Sequence, residues 1–429
     1  MEGAGPPRAT YRDVFAVREF RAVWLAELLS VAGDRLALVA LTLLVYDRSG
    51  SPLLAAVTWA AGYLPWVIGG LFLASLADRR PRRSVMVTCD VVRAVLVAAM
   101  AIPRVPIWAL VALLFAVTMF APPFESARAA VTADILHGER YALGTAALQT
   151  TMMSGEVAGA VGGGVAVAFL GVGPSLVIDA ATFVLSGLLI GLGVHARPAA
   201  AAPETARASS VVRIREGFQL VLGNQALRIL VMLGWLAAFY TIPQAVAAPY
   251  VHKLGRGPIA TGLVVASTVF ATMIATPLFT RFVGPRLRLA LMGPLAVLTC
   301  ATLILTAVGP GLVVSLVIFS ISAAFGSYQI AANTAFVIRV PNEQRAQAFG
   351  LANMGVIVGQ GAAFVAAGAA AEVMSPAVVI AIGGGIGALM AGVLTLRWRR
   401  LSPSGGRHAA GRRANHAATG TSVPLRGSG

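Results

Sequence analysis

Along this chain, apolar runs of about 20 residues alternate with short stretches of Arg, Pro and Gly, and each run is long enough to cross a bilayer as a helix. Breaking the sequence at that punctuation predicts twelve helical segments, near residues 20–46, 53–77, 84–103, 107–127, 144–171, 174–195, 224–250, 258–282, 287–308, 311–337, 344–371 and 376–398. The pattern predicts an all-α membrane protein in which twelve transmembrane helices return both chain ends to one side of the membrane.

The stretch HARPAAAAPETARASS (His195 to Ser210) divides the segments six and six, and VVRIREGFQLVLGN after it reads as a short amphipathic helix on the membrane surface. The expected organisation is an N-terminal segment (1–17), a first six-helix bundle (18–195), a linker with the amphipathic helix (196–223), a second six-helix bundle (224–398) and a disordered basic tail (399–429). Gly144, Gly155 and Gly162 recur at one offset as Gly350, Gly361 and Gly368. A weak repeat of six-helix halves is the pattern of pseudo-symmetric secondary transporters.

A net charge of +16 would point to a nucleic-acid partner in a water-soluble domain, but here its placement decides the matter. With the N-terminus inside, 27 of the 33 basic residues fall on that side, against Arg48, Arg104, Lys253 and Arg256 on the other, with Arg35 and Arg93 inside helices. That asymmetry follows the positive-inside rule and predicts a multi-pass protein of the cell inner (plasma) membrane with both termini cytoplasmic. The basic excess then serves topology and contact with membrane lipids, and no nucleic-acid partner is expected. The first run is too long for a signal-peptide core and is expected to be retained.

Several chemistries lack residues. The single lysine, Lys253, is followed by Leu254, which excludes a G-x-x-x-x-G-K-[ST] phosphate loop. None of His137, His195, His252, His408 and His416 falls in mid-membrane, and Cys89 and Cys300 sit alone in apolar runs of opposite halves. Neither an enzymatic activity nor a cofactor or metal is expected.

Between the second and third segments, ADRRPRRS resembles the G-x-x-x-D-[RK]-x-G-[RK]-[RK] gating loop of the major facilitator superfamily. Asp78, Arg79, Arg82 and Arg83 match, while Ala74 and Pro81 stand in place of glycines. FRAVWLAELLSVAGDRLALVALTLLVYDRSGSPLLAAV, DVVRAVL, SARAAVTADIL, VIDAATFVLSGLL and RVPNEQRAQAFG are similar to the branch holding enterobactin exporters and macrolide-efflux proteins. The resemblance covers residues 18–398 and implies two six-helix bundles around a central cavity, alternating access and proton-coupled export. GEVAGAVGGG is similar to the g-x-x-x-G-P-x-x-G-G motif of drug/proton antiporters, with Ala160 in place of its proline. From spacing alone, Gly155, Gly159 and Gly163 form a flat ridge that lets another helix approach closely.

Ionisable groups inside a membrane cost a few kcal/mol and are retained for function. Glu27, Asp34, Asp90, Glu125, Glu156 and Asp179 lie within helices, all in the first half. Glu27, Ser30 and Asp34 share one face of the first helix, with Asp34 near mid-membrane. Asp34 reads either as the proton carrier or as a permanent partner of an arginine, and Glu156 as the second candidate carrier. Asp90 and Arg93, three apart, can neutralise each other, or Arg93 can reach Asp34 or Glu156 and toggle with protonation. Glu125 is expected to pair with Arg128 or a loop arginine, and Asp179 to make a helix-packing hydrogen bond.

For substrate, Gln329 and Asn333 lie on a polar groove with Ser322 and Gly326, and Tyr240, Gln244, Asn353 and Gln360 add an aromatic and amide lining. Such a lining suits a small amphipathic compound such as a drug, siderophore or other natural product. The expected function is proton-coupled efflux of such a small-molecule substrate by a monomer, with protons as co-substrate. The alternatives are an uncoupled facilitator or lysolipid-flipping protein and, in another class, a non-transporting membrane receptor or assembly partner.

Overall fold

A computed structural model of the chain describes residues 9–72, 80–197 and 210–401. Asp78 and Arg79 of the expected gating loop, residues 198–209 of the linker and nearly all of the basic tail lie outside the described residues.

The described elements are helical. After the short α1 (Tyr11–Phe15), where Asp13 accepts hydrogen bonds from the backbone and hydroxyl of Thr10, come α2 (Arg18–Ser49), α3 (Pro52–Ala61) and α4 (Pro65–Phe72). These are followed by α5 (Arg82–Met100), α6 (Ile107–Met119), α7 (Ala121–Ile135), α8 (Glu139–Leu170) and α9 (Val172–Gly193). Beyond the linker lie α10 (Ser210–Gly223), α11 (Gln225–Trp235), α12 (Ala237–Tyr240), α13 (Ile242–Ala245) and α14 (Ala247–Lys253). The chain closes with α15 (Pro258–Phe282), α16 (Pro285–Ala301) with a 3-10 turn to Val308, α17 (Leu312–Phe325), α18 (Tyr328–Arg339), α19 (Arg345–Val373) and α20 (Pro376–Leu401).

Among the described residues, eleven spans are long and apolar enough to cross a membrane. The twelfth is α5, which is 19 residues long but carries Arg82, Arg83, Asp90 and Arg93. Those charges remove it from the apolar class, and partners on α2, α7 and α9 satisfy them inside the protein.

Several predicted single helices are broken, and the breaks follow the prolines. Pro65 stands four residues after Ala61, where α3 ends; Pro122 and Pro123 follow the α6–α7 break; Pro243 and Pro249 divide the seventh span into short pieces. A proline ring removes a backbone donor and collides with the carbonyl four residues earlier, which favours a break there, although α15 and α16 continue through Pro277 and Pro294. The α17–α18 break lies instead at Gly326 and Ser327.

The helices form two pseudo-symmetric six-helix bundles. In the first, α2 packs against α8 and α9, and α9 against α5. The halves meet where the fifth span, α8, crosses the eighth, α15, and where the second, α3, crosses the eleventh, α19. Glycine sets both crossings: a Cβ on Gly262 would lie 2.3 Å from the Ala160 carbonyl oxygen, and one on Gly368 would lie 2.5 Å from the Ala56 Cβ. Leu192, Phe282, Val308, Ile338 and Leu389 stand exposed on the outside, where lipid solvates them.

One face of the bundle, here the terminal face, carries residues 18, 193, 225 and 401, and the opposite face carries the 50–51, 171, 255–257 and 374–375 connections. The close inter-half crossings at Gly164 with Gly262 and Ala56 with Gly368 lie toward the opposite face. There Ser51 donates to the Glu372 carboxylate at 2.5 Å and the Leu53 amide donates to it at 3.0 Å, joining the two halves. α10 packs along the start of α19 at Gly217 and Gln347, so the predicted surface helix is docked on the protein.

Candidate functional site

Between the crossings and the terminal face lies a cavity of about 490 Å³. Its wall draws Ser30, Asp34 and Arg35 from α2, Tyr63 and Trp66 from the α3–α4 break, and Arg93 from α5. It adds Phe124, Glu125 and Arg128 from α7, Gln149 and Glu156 from α8, and Ile357 and Gln360 from α19. Every charged group on the wall belongs to the first half. A smaller pocket of about 100 Å³ shares Arg128, Gln149 and Met152 and continues to Thr132, Tyr141 and Thr145.

Three guanidiniums pair with five of the six carboxyls. Arg93, buried, donates to Asp34 at 2.6 Å and to the Ser30 hydroxyl at 3.2 Å, with Asp90 at 3.7 Å. The Phe183 ring centroid lies 4.2 Å from its carbon and the Phe124 centroid 5.7 Å, so two aromatic faces confine it. Asp90 is closed off from solvent and accepts from Ser186 at 2.7 Å. Asp90 and Arg93 are thus joined as the spacing allowed, but the tighter partner of Arg93 is Asp34, the toggle alternative, and Arg93 does not bond Glu156.

Glu156 is held by Arg35, which donates to it at 2.9 Å and to the Tyr63 hydroxyl at 3.0 Å. The sequence reading gave Arg35 no role. A basic residue at mid-span has to find an acid within reach, and following Asp34 by one residue turns it about 100° around the helix, away from Arg93 and toward α8. Arg128 pairs with Glu125 and approaches the buried Glu27 at 3.1 Å. Neither oxygen of Glu27 has a hydrogen-bond partner among the described residues. Asp179 is also buried, bonded to Thr182, and lies so close to α2 that a Cβ on Gly33 would meet its oxygen at 2.2 Å.

The glycine ridge of α8 lies on α2. A Cβ on Gly159 would sit 2.2 Å from the Ala32 carbonyl oxygen, one on Gly163 3.0 Å from Leu36, and one on Gly155 3.3 Å from Val31. This approach brings Glu156 beside Arg35. At the terminal face, Arg82 donates to Asp134 and to the Ala130 carbonyl, and Arg83 to the Gly191 carbonyl, which ties the start of α5 to α7 and α9.

The expected substrate lining is only partly at the cavity. Gln360 lines it and donates to Thr241 at 3.2 Å. Tyr240 and Gln329 bond each other at 2.5 Å, and Gln244 is buried against Thr268 at 2.9 Å; these three lie off the cavity wall. Asn333 and Asn353 are exposed beyond it. Helical periodicity placed these residues on polar faces but could not tell an interhelical hydrogen bond from a ligand-facing group. Cys89 and Cys300 are both buried and unbridged.

Comparison with solved structures places the fold among membrane transporters. The chain is similar to a POT family transporter in complex with 5-aminolevulinic acid at a TM-score of 0.72, with 12% identity over 92% of this chain and 99% of that one. It is similar to the nucleoside transporter NupG (D323A mutant) at 0.68, with 14% identity over 89% of this chain and 100% of that one. A bacterial homolog to the human lysosomal transporter Spinster, inward-facing and unoccupied, gives 0.61, with 16% identity over 89% and 94%. In sequence, the chain is 27% identical over 258 residues to the uncharacterized MFS-type transporter YkuC of Bacillus subtilis (strain 168), across 57% of this chain and 59% of that relative. The family model of the Major Facilitator Superfamily matches residues 23–355, well over half of the chain. A multi-pass helical fold, two six-helix halves around a cavity and this match together make the chain a member of the Major Facilitator Superfamily.

Proposed function

We propose that this membrane transporter is a proton-coupled exporter of a small amphipathic compound, working by alternating access. The observation that carries the reading is the imbalance of six carboxyls against three guanidiniums inside the first bundle: Glu27, Asp34, Asp90, Glu125, Glu156 and Asp179 against Arg35, Arg93 and Arg128. A net charge of minus three in a membrane interior is costly, so protons balance what the arginines do not. Asp34 is the group placed to exchange its proton, because it faces the cavity while its partner Arg93 is buried.

In this cycle Arg93 alternates between two neighbours. With Asp34 ionised, the guanidinium is held at 2.6 Å as observed; with Asp34 protonated, Asp90 at 3.7 Å becomes its principal counter-ion. The small shift is passed to α2, on which the glycine ridge of α8 slides. Glu156 and Arg35 form the second exchangeable pair. With the basic, terminal face taken as cytoplasmic in the inner (plasma) membrane, the closed crossings lie outward and the cavity lies on the inner side. Arg82 and Arg83, with Asp78 and Arg79 of the loop before them, would latch that inner side in the alternate state. Each pH unit across the membrane supplies about 1.4 kcal/mol, close to a tenfold concentration ratio for one-for-one exchange, and a neutral substrate exchanged for a proton would gain roughly 2.3 kcal/mol more from about 100 mV.

The test is uptake into proteoliposomes with an imposed pH gradient, using fluorescent amphipathic dyes. Transport is expected only when protons can flow against the dye, and Asp34→Asn is expected to abolish gradient-driven transport while leaving a residual, lower-affinity dye exchange without a gradient. Equal accumulation by Asp34→Asn would refute the coupling role.

A further inference from the structure

The six cavity-facing charges are not presented equally. In every ion pair on the wall, the carboxylate is the more exposed partner: Asp34 is 38% exposed against 3% for Arg93, Glu125 26% against 14% for Arg128, and Glu156 23% against 18% for Arg35. The guanidiniums lie behind, and Arg93 is further enclosed by Phe124 and Phe183. Behind them again stand Glu27, Asp90 and Asp179, buried and, among the described residues, without a fourth cation to match them. Among the described residues neither oxygen of Glu27 accepts a hydrogen bond, nor does one oxygen each of Asp90 and Asp179, although Arg128 lies 3.1 Å from Glu27 and Arg93 3.7 Å from Asp90. A solute entering the cavity therefore meets carboxylate oxygen first, against a wall whose fixed charge is negative unless protons fill it.

The rest of the lining fits the same solute. Trp66 is well exposed, Tyr63 stands beside it with one ring face 5.5 Å from the Arg35 carbon, and Val31, Leu38, Leu114, Met152 and Ile357 supply apolar surface. Aromatic faces next to carboxylates attract delocalised cations, and about 490 Å³ accommodates a drug-sized molecule.

We propose that the cavity takes an organic monocation with apolar bulk, which occupies the negative charge of Asp34 and Glu156 in place of a proton. The proposal rests on the exporter reading and names its substrate class. Exchange is then one positive charge for another at one site: the cation binds as the carboxyl gives up its proton, and reprotonation expels it.

Tetraphenylphosphonium and tetraphenylborate make the test, because they share a shape and differ in the sign of charge. Equilibrium binding of each to the purified, detergent-solubilised chain is measured from pH 5 to 8, with proton release followed in weak buffer. Selective binding of the phosphonium is expected, weakening by up to tenfold per pH unit on the acid side. At least tenfold loss is expected in Asp34→Asn and recovery in Asp34→Glu. Binding of the borate as tightly as the phosphonium, or of neither ion, overturns the proposal, and so does unchanged phosphonium affinity in Asp34→Asn, whatever the folding of other variants. The two readings separate cleanly: selective phosphonium binding without proton release keeps the substrate class and removes proton coupling. Borate preference alongside pH-driven dye transport keeps coupling and removes the substrate class.

Discussion

Gly262→Ala acts where the two halves touch, at a residue that does not line the cavity. The added Cβ would lie 2.3 Å from the Ala160 carbonyl oxygen, which is backbone and cannot rotate away. Ordinary contact begins near 3.4 Å, so α8 and α15 must separate by about 1 Å, and overpacking of this kind costs about 1–3 kcal/mol. The crossing lies toward the opposite face, and a state in which that face opens relieves the clash. Were all of the cost to fall on the closed state, its population relative to the open state would drop by about 5- to 150-fold.

The assay is labelling of Ser51→Cys by a membrane-impermeant maleimide. Ser51 stands at the inter-half junction with Glu372, and the native Cys89 and Cys300 are buried. Gly262→Ala is expected to raise the labelling rate, and Gly164→Ala, whose Cβ would meet the Pro258 carbonyl oxygen at 2.7 Å, to do the same more weakly. Gly162→Ala, which meets nothing within 4 Å, is the control. Unchanged labelling in Gly262→Ala, together with a fall in thermal stability, would refute the reasoning, since the clash would then be absorbed inside one bundle.

Other consequences follow from the ion pairs. Arg93→Met leaves Asp34 and Asp90 without their shared cation and is expected to lose about 3–5 kcal/mol, read as poor thermal stability in detergent and partly restored by adding Asp34→Asn. Arg35→Met should cost less, about 1 kcal/mol, because cavity water reaches the freed Glu156 carboxylate; its mark should be a changed pH profile of dye transport rather than a failure to fold. Glu372→Ala removes the acceptor of Ser51 and Leu53 across the halves and is expected to raise maleimide labelling at a cysteine placed at Leu53 several-fold without altering cavity binding.

How much was legible in the sequence depends on whether a feature is local or requires a partner. The spans followed from length and apolarity, and α2, α8, α15 and α20 end within a few residues of their predicted limits, except that α8 begins five residues early at Glu139. The broken spans were also written in Pro65, Pro122, Pro243 and Pro249, but a hydrophobic window averages over them. α5 shows the converse: its charges make it a poor span in isolation, and only the neighbours that neutralise them explain its place in the bundle.

At the site, the sequence could find charges but not their depth. The stripe of Glu27, Ser30 and Asp34 is set by helical spacing, yet those three have different surroundings: Glu27 is sealed beside Arg128, Ser30 accepts from Arg93, and Asp34 faces the cavity. Two turns of α2 separate a buried carboxyl, closed in beside Arg128 of α7, from one that opens onto the cavity. Periodicity assigns a face, whereas accessibility is assigned by the second helix. The amide groups of the second half show the same limit: Gln244 bonds Thr268, Gln329 bonds Tyr240, and Gln360 is the one of the three that lines the wall. The two halves share a fold but divide the wall: the first supplies every charged group that lines the cavity among the described residues, and the second supplies Ile357 and Gln360, both uncharged.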